Sequence, residues 1–174
     1  MCARTTCKPF KILQHFQFPA LAFALVQFST SIRTEVSFGQ VGSEDELRAA
    51  VFSIEYLHGW SRTDLALDAA STLLTSRPAA ARSQAVLLVT DGVSNNPPAT
   101  TLAAQALHDD DVTVVAVGVG SAVRSARMRE ELVTISGSEQ NSFEFETFDA
   151  MRLSATEVAM QICQGQSYWP TQLT

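Results

Sequence analysis

The chain has few cysteines and no motif of common catalytic chemistry. Its three cysteines, Cys2, Cys7 and Cys163, are an odd number and do not make a closed disulfide framework. No Cys-x-x-Cys or Cys/His pair has zinc spacing, and His15, His58 and His108 are scattered. There is no Gly-x-x-x-x-Gly-Lys phosphate loop and no Gly-x-Ser-x-Gly nucleophile elbow. Gly118-Val119-Gly120 fails the dinucleotide fingerprint, because Val123 stands where its last glycine belongs. Positive charge is also scarce. The net charge of −6 argues against a nucleic-acid surface, which needs a basic face. No apolar run reaches the roughly 20 residues that cross a bilayer. Phe16–Val26, preceded by Arg4, Lys8 and Lys11, imitates a secretion signal but runs into an expected core strand.

What is present is an alternation of strands and helices. Apolar residues make up 46% of 174, enough for the core of one domain. Leu21–Ser29 is nearly all apolar, as in a strand buried on both faces. Ser31–Phe38 alternates, as in a half-buried edge strand, after a tight turn at Ser29-Thr30-Ser31. Ser43 with Glu46 is a capping box, and Leu47, Ala50, Val51 and Ile54 share the face of the helix it opens. A second stripe, Ala66, Ala69, Ala70, Leu73 and Leu74, ends at Pro78. Ala85–Val89 and Val112–Val117 are short continuous apolar runs, hence buried parallel strands. Between them, Pro97 and Pro98 open a helix with Ala99, Leu102, Ala103, Ala106 and Leu107 along one face. A helix with Met128, Leu132 and Ile135 follows, then a short strand at Phe143–Glu146. One last helix is expected to bury Phe148, Met151, Ala155, Val158 and Ile162. This order predicts an α/β fold with a mostly parallel sheet between helices and one antiparallel edge strand.

Four stretches carry a resemblance. Phe23–Ser29 with Arg33-Thr34-Glu35 looks like the second and third strands of von Willebrand factor A domains. Leu87–Gly92 is similar to the fourth strand and metal-site loop of that family, Val115–Gly120 to its fifth strand, and Phe145–Ala150 to the last strand entering the closing helix. They stand in family order over residues 21–163, between an atypical segment, 1–20, and a tail, 164–174. The resemblance implies a Rossmann-like fold, and a protein-binding module of cell adhesion or matrix recognition rather than an enzyme. It implies a protein ligand, collagen or another matrix protein, with no nucleic acid and no membrane span. It also implies an extracellular or secreted setting within a larger protein.

The resemblance further implies a metal-ion-dependent adhesion site at the carboxyl ends of the strands, where open α/β sheets place ligands. Carried over by position, Asp91 of Thr90-Asp91-Gly92 takes the carboxylate role. Ser61 takes the place of a metal-binding threonine, with Thr63 beside it. Such oxygen donors suit Mg²⁺ or Mn²⁺. The Asp-x-Ser-x-Ser loop that completes the family's site occurs nowhere in this chain, and residues 1–20 do not resemble the family's first, central strand. Weak or absent metal binding follows, and with it the alternative of a truncated structural fragment without metal-dependent binding. Taken alone, Asp91-Gly92 is ordinary turn chemistry. Asp109-Asp110-Asp111 reads as a solvated helix end. Trp60, beside Ser61, stands out as a loop aromatic of the kind that anchors partners, with packing over the sheet end as the equal alternative.

Overall fold

A computed structural model describes residues 22–76 and 84–164, the side chains of Cys163 and Gln164 excepted. The segment 1–20 with Cys2, Cys7 and the first part of the signal-like run, the helix-ending Pro78 and the tail beyond Gln164 lie outside the described residues.

Two groups of strands form the frame. β1 (Leu25–Phe28) and β2 (Ile32–Val36) are an antiparallel pair. β3 (Ala85–Thr90), β4 (Thr113–Val119) and β5 (Ser142–Phe145) form a parallel sheet in the order β3-β4-β5. The buried strands expected at Ala85–Val89 and Val112–Val117 are thus present, whereas the expectation of a strand buried on both faces at Leu21–Ser29 is corrected: β1 is shorter, its four residues are only half-buried, and the antiparallel pair is a small sheet of its own. Among the described residues β1 and β3 each pair on one side only.

Among the described residues six α-helices accompany the strands: α1 (Glu44–Phe52), α2 (Thr63–Thr75), α3 (Pro97–Asp109), α4 (Ala126–Ser136), α5 (Phe148–Leu153) and α6 (Ala155–Gln164). The capping box forms in a shifted version. The Ser43 hydroxyl accepts from the Glu46 amide, while the Glu46 carboxylate accepts from Gly42 N–H at 2.7 Å.

β4 is the buried axis, with Val114 through Val117 and Val119 all closed to solvent. On one face Leu67, Leu88, Leu107, Met128, Leu132 and Ile135 pack with Val114 and Ala116. On the other, Met151, Ala155, Val158 and Ala159 cover Val115, Val117 and Val119. This alternation along β4 is what a strand with helices on both faces requires. Gly118 permits it: a Cβ there would lie 2.8 Å from a Leu132 methyl carbon. The glycine therefore serves the close approach of α4, while Gly120, at φ 102°, supplies the turn out of the strand.

Two expectations are corrected. The buried face of α3 is Thr100, Ala103, Ala104 and Leu107, and Leu102 is 72% exposed. The helix is rotated from the expected face because Thr100 turns inward, its hydroxyl 2.7 Å from that of Ser94. The single last helix is two, divided at Ser154, and Phe148 at the start of α5 is 41% exposed rather than buried.

Candidate functional site

Three chain segments meet where β1 and β3 end. The turn after β1 is tied to the loop before α2 by two bonds: Trp60 N–H donates to the Thr30 hydroxyl at 3.0 Å, and Arg62 N–H to the Ser29 carbonyl at 3.1 Å. That loop is tied to the loop after β3 by the Asn95 N–H, which donates to the Ser61 carbonyl at 3.0 Å. The Ser61 hydroxyl stands 3.6 Å from where a Cβ on Gly92 would lie. Ser61 and Asp91, far apart in sequence, therefore face one cleft of about 280 Å³, lined also by Val26, Gln27, Phe28, Val89, Thr90 and Phe148. The cleft opens between β1 and β3.

The loop after β3 is held from several sides. The Thr90 hydroxyl donates to the Gly92 carbonyl at 2.9 Å, closing the Asp-Gly turn. Ser94 is buried, and its backbone N–H donates to the Glu131 carboxylate of α4 at 2.6 Å. Burial pushes the Glu131 carboxyl above its ordinary 4.5, against the opposing pull of the Ser94 N–H and of Arg127. The Asn96 N–H donates to the Ser94 hydroxyl at 3.1 Å, so the loop enters α3 in a fixed geometry.

The loop before α2 carries a buried acid. Asp64 is 3% exposed and accepts a forked pair from Arg62, Nε to Oδ1 at 2.9 Å and the terminal nitrogen to Oδ2 at 2.7 Å. These hydrogen bonds hold the Asp64 carboxyl below its ordinary 3.8, against the opposing effect of burial. The Arg62 charge is thereby engaged by Asp64 rather than offered to the cleft. The sequence contained the signal, an arginine and an aspartate straddling a helix start, but not its geometry.

Thr63, the first residue of α2, is 0% exposed, and among the described residues its hydroxyl is the one buried side-chain polar atom without a hydrogen-bond partner. Ser61 and Asp91 thus share the cleft, while Thr63 is buried and is not among its lining residues. Trp60 is 68% exposed next to them, which decides between anchoring and packing in favour of an accessible ring. Sequence reasoning missed Phe148 as a cleft wall, because its apolar spacing with Met151 placed it in the core.

The family model described as von Willebrand factor type A domain matches residues 10–157. The human collagen alpha-1(XXI) chain is 30% identical over 151 residues, 86% of this chain and 15% of the collagen chain. Human matrilin-4 is 37% identical over 112 residues, covering 61% of this chain and 18% of matrilin-4. The chain therefore spans less than a fifth of either relative. Proximal thread matrix protein 1 from the mussel byssus superposes with a TM-score of 0.77 at 22% identity, over 87% of this chain and 38% of that one. Another structure of that mussel protein, described as having a zinc-occupied MIDAS motif, gives 0.72 at 23% identity, over 82% of this chain and 35% of that one. At these identities the solved structures speak to the fold alone. The sequence match covers most of the chain, its relatives include extracellular matrix proteins, and the fold agrees: the chain belongs to the von Willebrand factor type A domain family.

Proposed function

We propose that this chain is a non-enzymatic protein-binding module, part of a larger extracellular or secreted protein, that recognises a matrix protein such as collagen. Its surface is the strand-end face made by Trp60–Thr63 and Asp91–Asn96. The observation that carries this reading is the convergence of Ser61 and Asp91 on one cleft beside an exposed tryptophan. Exposed aromatics beside a concave polar site are frequent anchors of protein partners.

The residues suit a hard divalent cation in kind but not in number. Ser61 and Asp91 would hold Mg²⁺ or Mn²⁺ through hydroxyl and carboxylate oxygens, and the unpartnered hydroxyl of Thr63, two residues after Ser61 at the start of α2, is a further oxygen donor. One carboxylate offsets little of the cost of dehydrating such an ion, so affinity is weak. When bound, the ion would supply an open coordination position for an acidic side chain of the partner.

Binding of the full chain to immobilised collagen and other matrix proteins tests the reading. Saturable binding that falls at least about fivefold in Trp60→Ala, the scale of a hot-spot contact, is expected. Equal binding by wild type and Trp60→Ala removes this face from the account. The single-sided pairing of β1 and of β3 among the described residues favours one other reading, a structural fragment without binding activity. No matrix binding, together with no heat or thermal shift on titration with Mg²⁺ or Mn²⁺, would establish it.

A further inference from the structure

We propose that Glu131 of α4, which does not line the cleft, is the positioning residue of the strand-end face: its carboxylate sets the register of the Asp91 loop and, through it, of the Ser61 loop. This rests on the reading of that face as the binding surface, and assigns what keeps its two loops together.

The bonds run from a fixed helix to a loop without regular pairing of its own. α4 is held at three places. The Ser125 hydroxyl caps its first turn by accepting from the Met128 N–H at 3.2 Å. Its middle packs closely on β4 at Gly118. Near its end the Ile135 carbonyl lies 3.0 Å from His108 Nε2 of α3. Glu131 stands three residues after Met128 and four before Ile135, so it borders the stripe that they bury. From there it accepts the Ser94 N–H at 2.6 Å. The loop offers three consecutive N–H groups, each with its own acceptor. Ser94 donates to Glu131, Asn95 to the Ser61 carbonyl at 3.0 Å, and Asn96 to the Ser94 hydroxyl at 3.1 Å. The Thr100 hydroxyl donates to the Asn96 carbonyl at 3.0 Å, which leaves the Ser94 hydroxyl to donate to Thr100 at 2.7 Å. Of the three amides, that of Ser94 alone reaches α4. Ser94 is 2% exposed, so water replaces the carboxylate only if the loop moves. The next amide is tied to Ser61, so that movement carries both loops. Burial opposes the charge of the Glu131 carboxyl, yet a carboxyl stands there.

The test follows the backbone amide resonances of the full chain, with binding to immobilised collagen measured in parallel. Glu131→Met removes the acceptor at similar length, and Glu131→Gln keeps it. In Glu131→Met the resonances of Ser61 and Asp91, which Glu131 does not touch, should move together with those of Ser94 and Asn95. Those of Val115 and Val117 in β4 should stay in place, which a general loss of packing would not allow. Collagen affinity should fall about tenfold in Glu131→Met, as when roughly one molecule in ten keeps the binding register. Glu131→Gln should return both readouts to wild type, and Glu130→Met, at the exposed neighbour on the same helix, should change neither. Should Glu131→Met lose its fold by circular dichroism, Glu131→Asp takes its place, since it withdraws the carboxylate by one methylene group and should move the same resonances. Unmoved Ser61 and Asp91 resonances in the folded variant, or a glutamine variant no closer to wild type than the methionine one, overturn the proposal. Collagen binding that is equal in all variants removes this inference alone. Resonances that move with Glu131 in a chain that binds no collagen remove the binding reading and leave the positioning of the loops standing.

Discussion

Thr63→Val should stabilise the protein. Thr63 is closed to solvent at the first position of α2, and its hydroxyl has no partner. A buried hydroxyl left unsatisfied costs about 1–3 kcal/mol. Valine keeps the branched shape at Cβ and replaces the hydroxyl by a methyl group, so no cavity opens. The lower part of that range, about 1 kcal/mol, is the expected gain. For a chain of this size that is about 2–4 °C in Tm. Thr63→Ser provides the contrast: it keeps the orphaned hydroxyl and deletes a buried methyl group, so it should lose about 1 kcal/mol. Urea unfolding followed by circular dichroism, with the slope unchanged between variants, reads both. A loss of 1 kcal/mol or more in Thr63→Val would refute the reasoning, for the hydroxyl would then have a partner in solution. A second arm adds Mg²⁺. If Thr63 contributes to holding the ion, wild type gains more from saturating metal than Thr63→Val, since a ligand stabilises in proportion to its occupancy of the folded state.

Other substitutions test the supports of the site. Asp64→Asn should cost about 1–3 kcal/mol at neutral pH, the scale of hydrogen bonds to a charged group. The Asp64 carboxyl titrates below its ordinary value in the folded state, so its contribution is complete above that value and disappears as pH falls through the lowered one. The gap between wild type and Asp64→Asn in thermal melts should therefore close below about pH 4. Glu131→Gln runs the other way. Burial raises the folded value, so the contribution is fullest in acid and is lost as pH rises through the raised value. Glutamine still accepts from the Ser94 N–H, so this variant should match or exceed wild type at pH 7 and lose that margin in acid. Gly118→Ala should destabilise by about 1–3 kcal/mol through overpacking, because its Cβ would crowd Leu132, Val123 and Met128 at 2.8, 3.0 and 3.1 Å. A melt unchanged from wild type would show that α4 can shift outward freely.

The strands of the parallel sheet were legible because a continuous run such as Ala85–Val89 leaves no polar face to turn outward. The pairing of the Asp91 loop with the loop at Ser61 was legible only through family order, since nothing local links them. Their actual tie, Asn95 N–H to the Ser61 carbonyl, is between backbone groups and leaves no trace in side-chain identity. The face of α3 was misread for a related reason. Alanines at 103 and 104 fit either rotation, and the choice was made by a Ser94–Thr100 hydroxyl pair that hydrophobic spacing ignores. The break at Ser154 was invisible because Met151, Ala155 and Val158 continue one apolar period across it, both helices covering the same side of β4.

The most direct test uses paramagnetic Mn²⁺ at millimolar concentration and the backbone amide resonances of the full chain. The account predicts joint broadening of Ser61, Thr63, Asp91 and Gly92, abolished in Asp91→Asn, because both loops border the same oxygen-lined cleft. Broadening of one loop without the other, or broadening confined to Asp109–Asp111, would contradict it.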